Sequence, residues 1–124
     1  MDLSHSSGLS NEERSLFLKE LTLLFASYAI DKAMAHLDEE VTWHLVGDKP
    51  IHGKKAFASA LRAMSGNKAI SVNIQGAFVS GMQGMVHGEM HMQNGDRFGF
   101  ADVYTFLDGP EIRVQTITSY VVPL

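Results

Sequence analysis

The hydrophobic period of this chain changes once, near residue 68, and that change restricts the folds open to it. Upstream, apolar residues recur at helical spacing. Phe17, Leu21, Leu24 and Tyr28 fall on one face of a helix. Ser10 and Glu13 have the capping-box spacing that satisfies the free amides at a helix start. A shorter helical stretch presents Ile30, Met34 and Leu37. A third helix follows Gly53, buries Phe57, Leu61 and Met64, and stops at Gly66. Between these, Val41 to Val46 has the β-branched and aromatic content of a strand, and Gly47-Asp48-Lys49-Pro50 is turn chemistry.

Downstream of residue 68 the pattern alternates, which predicts four long strands at about 69–80, 82–93, 97–107 and 111–122. Asn94-Gly95 and Asp108-Gly109-Pro110 mark hairpin turns. Helices first and an antiparallel meander afterwards define an α+β domain, with the helices on one face of a curved sheet. There is no repeat or linker, so residues 10–124 are expected to form one domain behind a flexible tail, 1–9.

Composition narrows the function classes. The 124 residues include no cysteine, which excludes disulfides, thiol catalysis and thiolate metal sites and fits a reducing cytoplasm. A net charge of −4 without a basic run gives no footprint for nucleic acid. The polar N-terminus is unlike a signal peptide, and no apolar run reaches the roughly 20 residues that span a bilayer.

The segment Arg97 to Leu107 carries the most chemical information. Phe98, Phe100, Tyr104 and Phe106 alternate onto one face, and Asp102 sits in the middle of that row. A carboxylate on an apolar face must be paired, hydrogen-bonded or protonated, and it is therefore either a satisfied structural acid or part of a site. A two-residue turn at Asn94-Gly95 would pair Gln93 with Asp96 and, counting back, set His87 opposite Asp102, about 5 Å away. Glu89 and His91 would share the His87 face. This register assumes no bulge, since a slip of one residue turns all three to the other side.

Metal binding is not expected. His87 and His91 lie four residues apart on one strand, about 13 Å, too far for one ion. Glu89 with one histidine and His44 or Asp102 is the remaining combination. His44 is the second candidate base, on a strand whose two faces are both mixed. His52 is expected to be exposed, and His5 and His36 are given no role. The seven methionines read as core filler and adaptable pocket lining.

The stretch Leu37-Asp38-Glu39-Glu40-Val41-Thr42-Trp43, then Gly47-Asp48-Lys49-Pro50-Ile51-His52-Gly53-Lys54-Lys55-Ala56-Phe57, resembles the signature of SnoaL-like proteins and ketosteroid isomerases, in the nuclear-transport-factor-2 (NTF2)-like superfamily. Asp102-Val103-Tyr104-Thr105-Phe106, a turn, and Ile112 to Tyr120 resemble the last hairpin of that group. The resemblance covers about residues 10–122. It implies a cystatin-like cone, three N-terminal helices packed on a curved, mainly antiparallel sheet, enclosing a ligand pocket.

In ketosteroid isomerases the Asp102 position holds the acid of the oxyanion hole, and in SnoaL-type polyketide cyclases an acid/base aspartate. His44 falls where the isomerases place their base. The isomerases' oxyanion-hole tyrosine would fall near Glu20 or Leu21, so the combination is closer to cyclases and scytalone-dehydratase-like enzymes. The same alignment turns His44, His87, Asp102, Tyr104, Ile117, Ser119 and Val121 into the cup. The expected catalytic set is then His44, His87 and Asp102, with Tyr104, Phe100, Glu89, Ile117 and Ser119 contacting substrate.

The implied chemistry is acid–base proton transfer on a hydrophobic carbonyl-bearing molecule, with no metal or organic cofactor. Isomerisation, cyclisation and dehydration all share its first step. The alternative is a non-catalytic ligand-binding or dimerisation module. Gly84, Val86, Gly88, Met90 and Met92 are expected on the outer sheet face with Gly99, Ala101, Val103, Val114, Thr116, Thr118 and Tyr120. That face would form a homodimer, as is usual in the family.

Overall fold

A computed structural model describes residues 10–109 and 111–124, so the expected 1–9 tail lies outside the described residues. Two helices open the chain, α1 (Asn11–Ala26) and α2 (Ile30–Met34); then come β1 (Leu37–Leu45), β2 (Ile51–His52) and α3 (Lys54–Met64). Four long strands complete it: β3 (Ala69–Ser80), β4 (Gln83–Met92), β5 (Arg97–Leu107) and β6 (Arg113–Pro123). The capping box at Ser10 and Glu13 forms in both directions, each amide donating to the other residue's side chain at 3.1 Å.

All six strands join one sheet in the order β2-β1-β6-β5-β4-β3. Only β1 and β6 run parallel; every other neighbouring pair is antiparallel. Bulges bend the sheet: one extra residue at Ile70 and one at Gln75 in β3, and one at Gln115 in β6. The sheet is therefore curved but not closed, and the helices pack into its concave face.

The core lies between them. Leu18 and Leu21 of α1, Ala33, Leu37, Val41, Phe57, Val86, Tyr104, Phe106 and Val114 are all buried. α1 settles directly on β4 because Gly84 lacks a side chain: a Cβ there would come 2.5 Å from Leu18 Cδ1. Two elements depart from the pattern reading. Leu37 belongs to β1, which starts four residues before Val41, and α2 is correspondingly only five residues long. Ile51 and His52 leave the turn to pair with Trp43 and Thr42. Among the described residues, no helix is long and apolar enough to cross a membrane.

Candidate active site

The β4–β5 hairpin decides which side chains reach the concave face. Its loop has three residues, 93–95, rather than two. The Met92 amide donates to the Asp96 carbonyl at 2.8 Å and the Gly95 amide to the Met92 carbonyl at 3.0 Å. Gly95 sits at φ +94°, the left-handed position that closes a type I turn with a bulge. Asp102 is consequently opposite Val86, and His87 is opposite Ala101. The expected His87–Asp102 pair does not form.

That one-residue difference turns His87, Glu89 and His91 onto the convex face. There His87 stacks on Phe78 with ring centroids 6.3 Å apart, and Glu89 accepts from Arg97 at 3.2 Å and Gln75 at 3.3 Å. The expected composition of the outer face changes accordingly. Val86 is fully buried in the core, Gly84, Gly88, Met90 and Met92 turn inward with it, and the Gln115 bulge brings Val114 inward as well.

His44 is also outside. In the parallel β1–β6 pairing, Trp43 and Leu45 align with Ile117 and Ser119 on the concave side, whereas His44 aligns with Thr118 on the convex side. Burial of the large Trp43 and Val41 side chains settles the parity, and His44 is carried out with Thr42. Tyr104 points inward but is completely buried beyond the cavity rather than lining it. Its phenol lies 2.7 Å from the Thr22 hydroxyl. Thr22 donates to the Leu18 carbonyl at 2.8 Å, so Tyr104 is the donor of the pair.

What the concave face does enclose is a cavity of about 260 Å³. β5 contributes Phe98, Phe100 and Asp102, β6 contributes Ile117, Ser119 and Val121, and β1 contributes Trp43 and Leu45. α3 supplies Phe57, Leu61 and Met64, while Phe25, Ala26 and Tyr28 close the side formed by the end of α1. Ala69, Val72, Met90, Met92 and the hydroxyl-bearing Thr22 of α1 complete the wall. Depth follows exposure. Met64 and Val121 are 43% and 39% exposed, whereas Ile117 and Ser119 are buried, so Asp102 lies at the deep end.

The polar groups of the cavity are few and mostly committed. Trp43 Nε1 donates to Ser119 Oγ at 3.0 Å. Ser119 is paired directly across from Asp102, where its hydroxyl favours the charged form of the carboxyl. Burial pushes that carboxyl up to about 6, with the Ser119 hydrogen bond pulling the other way. Burial, and then the nearby Asp102 charge, push the Tyr104 phenol well above its usual value against the Thr22 bond.

Tyr28 is the lining residue that the sequence did not single out as functional. Its φ of +56° is left-handed. Its amide donates to Phe25 at 3.1 Å and the Ala29 amide to Leu24 at 2.9 Å, the pattern of a Schellman cap in which glycine is usual. A tyrosine there costs about 1 kcal/mol of backbone strain. Its phenol, raised by burial, makes no hydrogen bond among the described residues and is the uncommitted neutral donor of the cavity. Among the described residues no cluster of three or more histidines or carboxylates could hold a metal ion.

The concave face of this α+β cone thus carries an apolar cup with one deep carboxyl, and comparison with known proteins places the fold. The SnoaL-like domain model matches residues 19–114, and the chain belongs to that family. A search of curated proteins finds no match. Among solved structures, an epoxide hydrolase of M. tuberculosis described as LEH-like is 19% identical with a TM-score of 0.75, covering 90% of this chain and 80% of that one. A proposed ketosteroid isomerase from Kribbella flavida is 14% identical with a TM-score of 0.74, covering 90% and 79%. A de novo designed protein with a curved β-sheet reaches a TM-score of 0.76 at 18% identity, covering 93% and 89%. At such identities the likeness is one of fold, and it extends to a protein designed without a natural ancestor.

Proposed function

We propose that the protein is a cofactor-independent proton-transfer enzyme for a hydrophobic, carbonyl-bearing ring compound, with Asp102 as its single acid/base. The observation that carries this reading is a lone carboxyl, pushed up to about 6 by burial, at the deep end of an apolar cup. With His44 and His87 outside, no second titrating base lines the cavity among the described residues. One group must then take the proton and return it.

That requirement selects isomerisation among the reactions sharing the first step. Asp102 takes a proton from the carbon next to the carbonyl, and the C–H electron pair passes into an enolate. The neutral carboxyl then gives the same proton to the γ-carbon, leaving a conjugated enone. Ser119, fixed by Trp43, holds the carboxylate, and Tyr28 donates to the enolate oxygen. The cup's size limits the substrate. A cavity of about 150 Å³ holds benzene, so 260 Å³ accommodates a bicyclic ring system.

The test is a β,γ-unsaturated bicyclic ketone of that size, followed by enone absorbance. Turnover is expected to rise with pH through about 6 and to vanish in Asp102→Asn. Ligand binding without isomerisation or exchange of the α-protons into heavy water would instead favour a non-catalytic binding protein.

Self-association through the convex face is proposed as well. Phe78, Tyr120, Val122 and Leu124 are 60%, 48%, 59% and 61% exposed there. Beside them lies a shallow trough whose lining includes Gly99 and Ala101. A face carrying both projecting rings and a small-residue trough can complement itself about a two-fold axis.

A further inference from the structure

Among the described residues the cup is lined by one carboxyl and no cationic side chain. None of its lining residues is lysine, arginine or histidine, and the three histidines nearest in sequence to the site strands, His44, His87 and His91, all face the other way. A carboxylate can accept about four hydrogen bonds. Here the polar side chain paired directly across from Asp102 is Ser119. Its wall is apolar and partly aromatic, with Tyr28, Trp43, Phe98 and Phe100 set among aliphatic and methionine side chains.

We propose that the same cup is a binding site for lipophilic ammonium ions, with Asp102 as the counter-charge and an apolar, partly aromatic wall around it. Two physical terms support the pairing. The cost of desolvating Asp102 is met when the chain folds, whether or not a ligand arrives. An entering ammonium therefore gains a charge partner in a low-dielectric pocket without adding that cost again. Aromatic faces also attract cations, more strongly when water is excluded. A neutral ligand of the same shape gains only the apolar contact, and an anion meets a like charge with nothing to offset it.

This ligand class needs the cup to be a small-molecule site, as in the function proposed above, but it does not need proton transfer. It adds a second recognition rule to the site. Ring ketones are held as substrates and ring amines as tight, unreactive occupants that compete with them.

The experiment compares four bicyclic probes of matched shape: tetralin, 2-tetralol, 2-aminotetralin and tetralin-2-carboxylate. Binding is read from the fluorescence of Trp43, the single tryptophan of the chain, which lines the cup. At pH 8 the amine is expected to bind more than about tenfold tighter than the alcohol, and the carboxylate weakest. The amine stays protonated throughout, so its affinity should fall about tenfold between pH 8 and 5 as Asp102 takes up a proton, while that of tetralin stays constant. In Asp102→Asn the amine and alcohol should become equal while tetralin is unaffected.

An amine no tighter than the alcohol, or a preference that survives in Asp102→Asn, overturns the ammonium site and leaves the cup intact if tetralin binds. If none of the probes binds, the cup itself is not a ligand site and both readings fall. The pH profile of the unmodified protein separates these outcomes even if Asp102→Asn does not fold.

Discussion

Asp102 is held at a cost to the fold, and the cost has a measurable pH dependence. Its carboxyl titrates at about 6 in the folded chain against 3.8 ordinarily. A group whose folded value is raised loses stability as pH rises from its unfolded value through the folded one. The difference is on the order of 3 kcal/mol at neutral pH and fades as pH falls toward the ordinary carboxyl range. Asp102→Asn should accordingly be more stable than the natural chain at pH 7.5, by up to about 3 kcal/mol in urea unfolding, with the gap closing by pH 4. An unchanged or reduced stability at pH 7.5 would mean that the carboxylate is better solvated than its surroundings imply. Tyr28 offers the complementary case. Tyr28→Phe keeps the ring and the cap geometry, so stability should hold, while turnover should fall by about tenfold as the enolate loses its donor. Equal turnover in the two proteins would remove Tyr28 from the chemistry.

At the scale of elements, one residue in one turn determines the site. Gly95 at φ +94° lets the hairpin close over three residues, and alanine there should cost about 1 kcal/mol, read as a lower urea midpoint. An unaffected midpoint would show that the loop tolerates another conformation. The helices, the strand run, the α+β order and the concave position of Asp102, Phe100, Ile117 and Ser119 were legible from periodicity and from the family resemblance. The partners of Asp102 were not, because Asn-Gly fits both two- and three-residue loops and parity inverts between them. The better signal was in β4 itself. Val86, Met90 and Met92 alternate with His87, Glu89 and His91, and hydrophobic burial sets register more firmly than a turn motif does. The same rule applied to Val41, Trp43 and Leu45 would have turned His44 outward. Tyr28 left no such signal, because a tyrosine at the end of a helical stripe looks like ordinary core. Its functional reading rests on a backbone conformation that only the structure shows.

Across the whole molecule, the two faces of the sheet have divided the chemistry between them. The concave face carries the Asp102 carboxyl, and the convex face carries His44, His87 and His91, the Glu89–Arg97 pair and an exposed apolar patch. Glu89 is already neutralised by Arg97 at 3.2 Å, so burying this region against a second copy leaves no carboxylate there without a counter-charge. Tyr120 and Val122 alternate with inward-facing Ser119 and Val121 on β6, which makes the two surfaces separable by mutation. Tyr120→Glu places an unpaired carboxylate on this apolar face, which is costly to bury against a second copy. Sedimentation should therefore show a dimer for the natural chain at micromolar concentration and a monomer for Tyr120→Glu. Tetralin affinity of the cup should be the same in both, because the substituted side chain lies on the opposite side of the strand. A natural chain that sediments as a monomer, or a dimer that survives Tyr120→Glu, would assign the exposed patch to some contact other than self-association. A loss of tetralin affinity on dissociation would show instead that the curvature of the sheet, and with it the cup, depends on the partner copy.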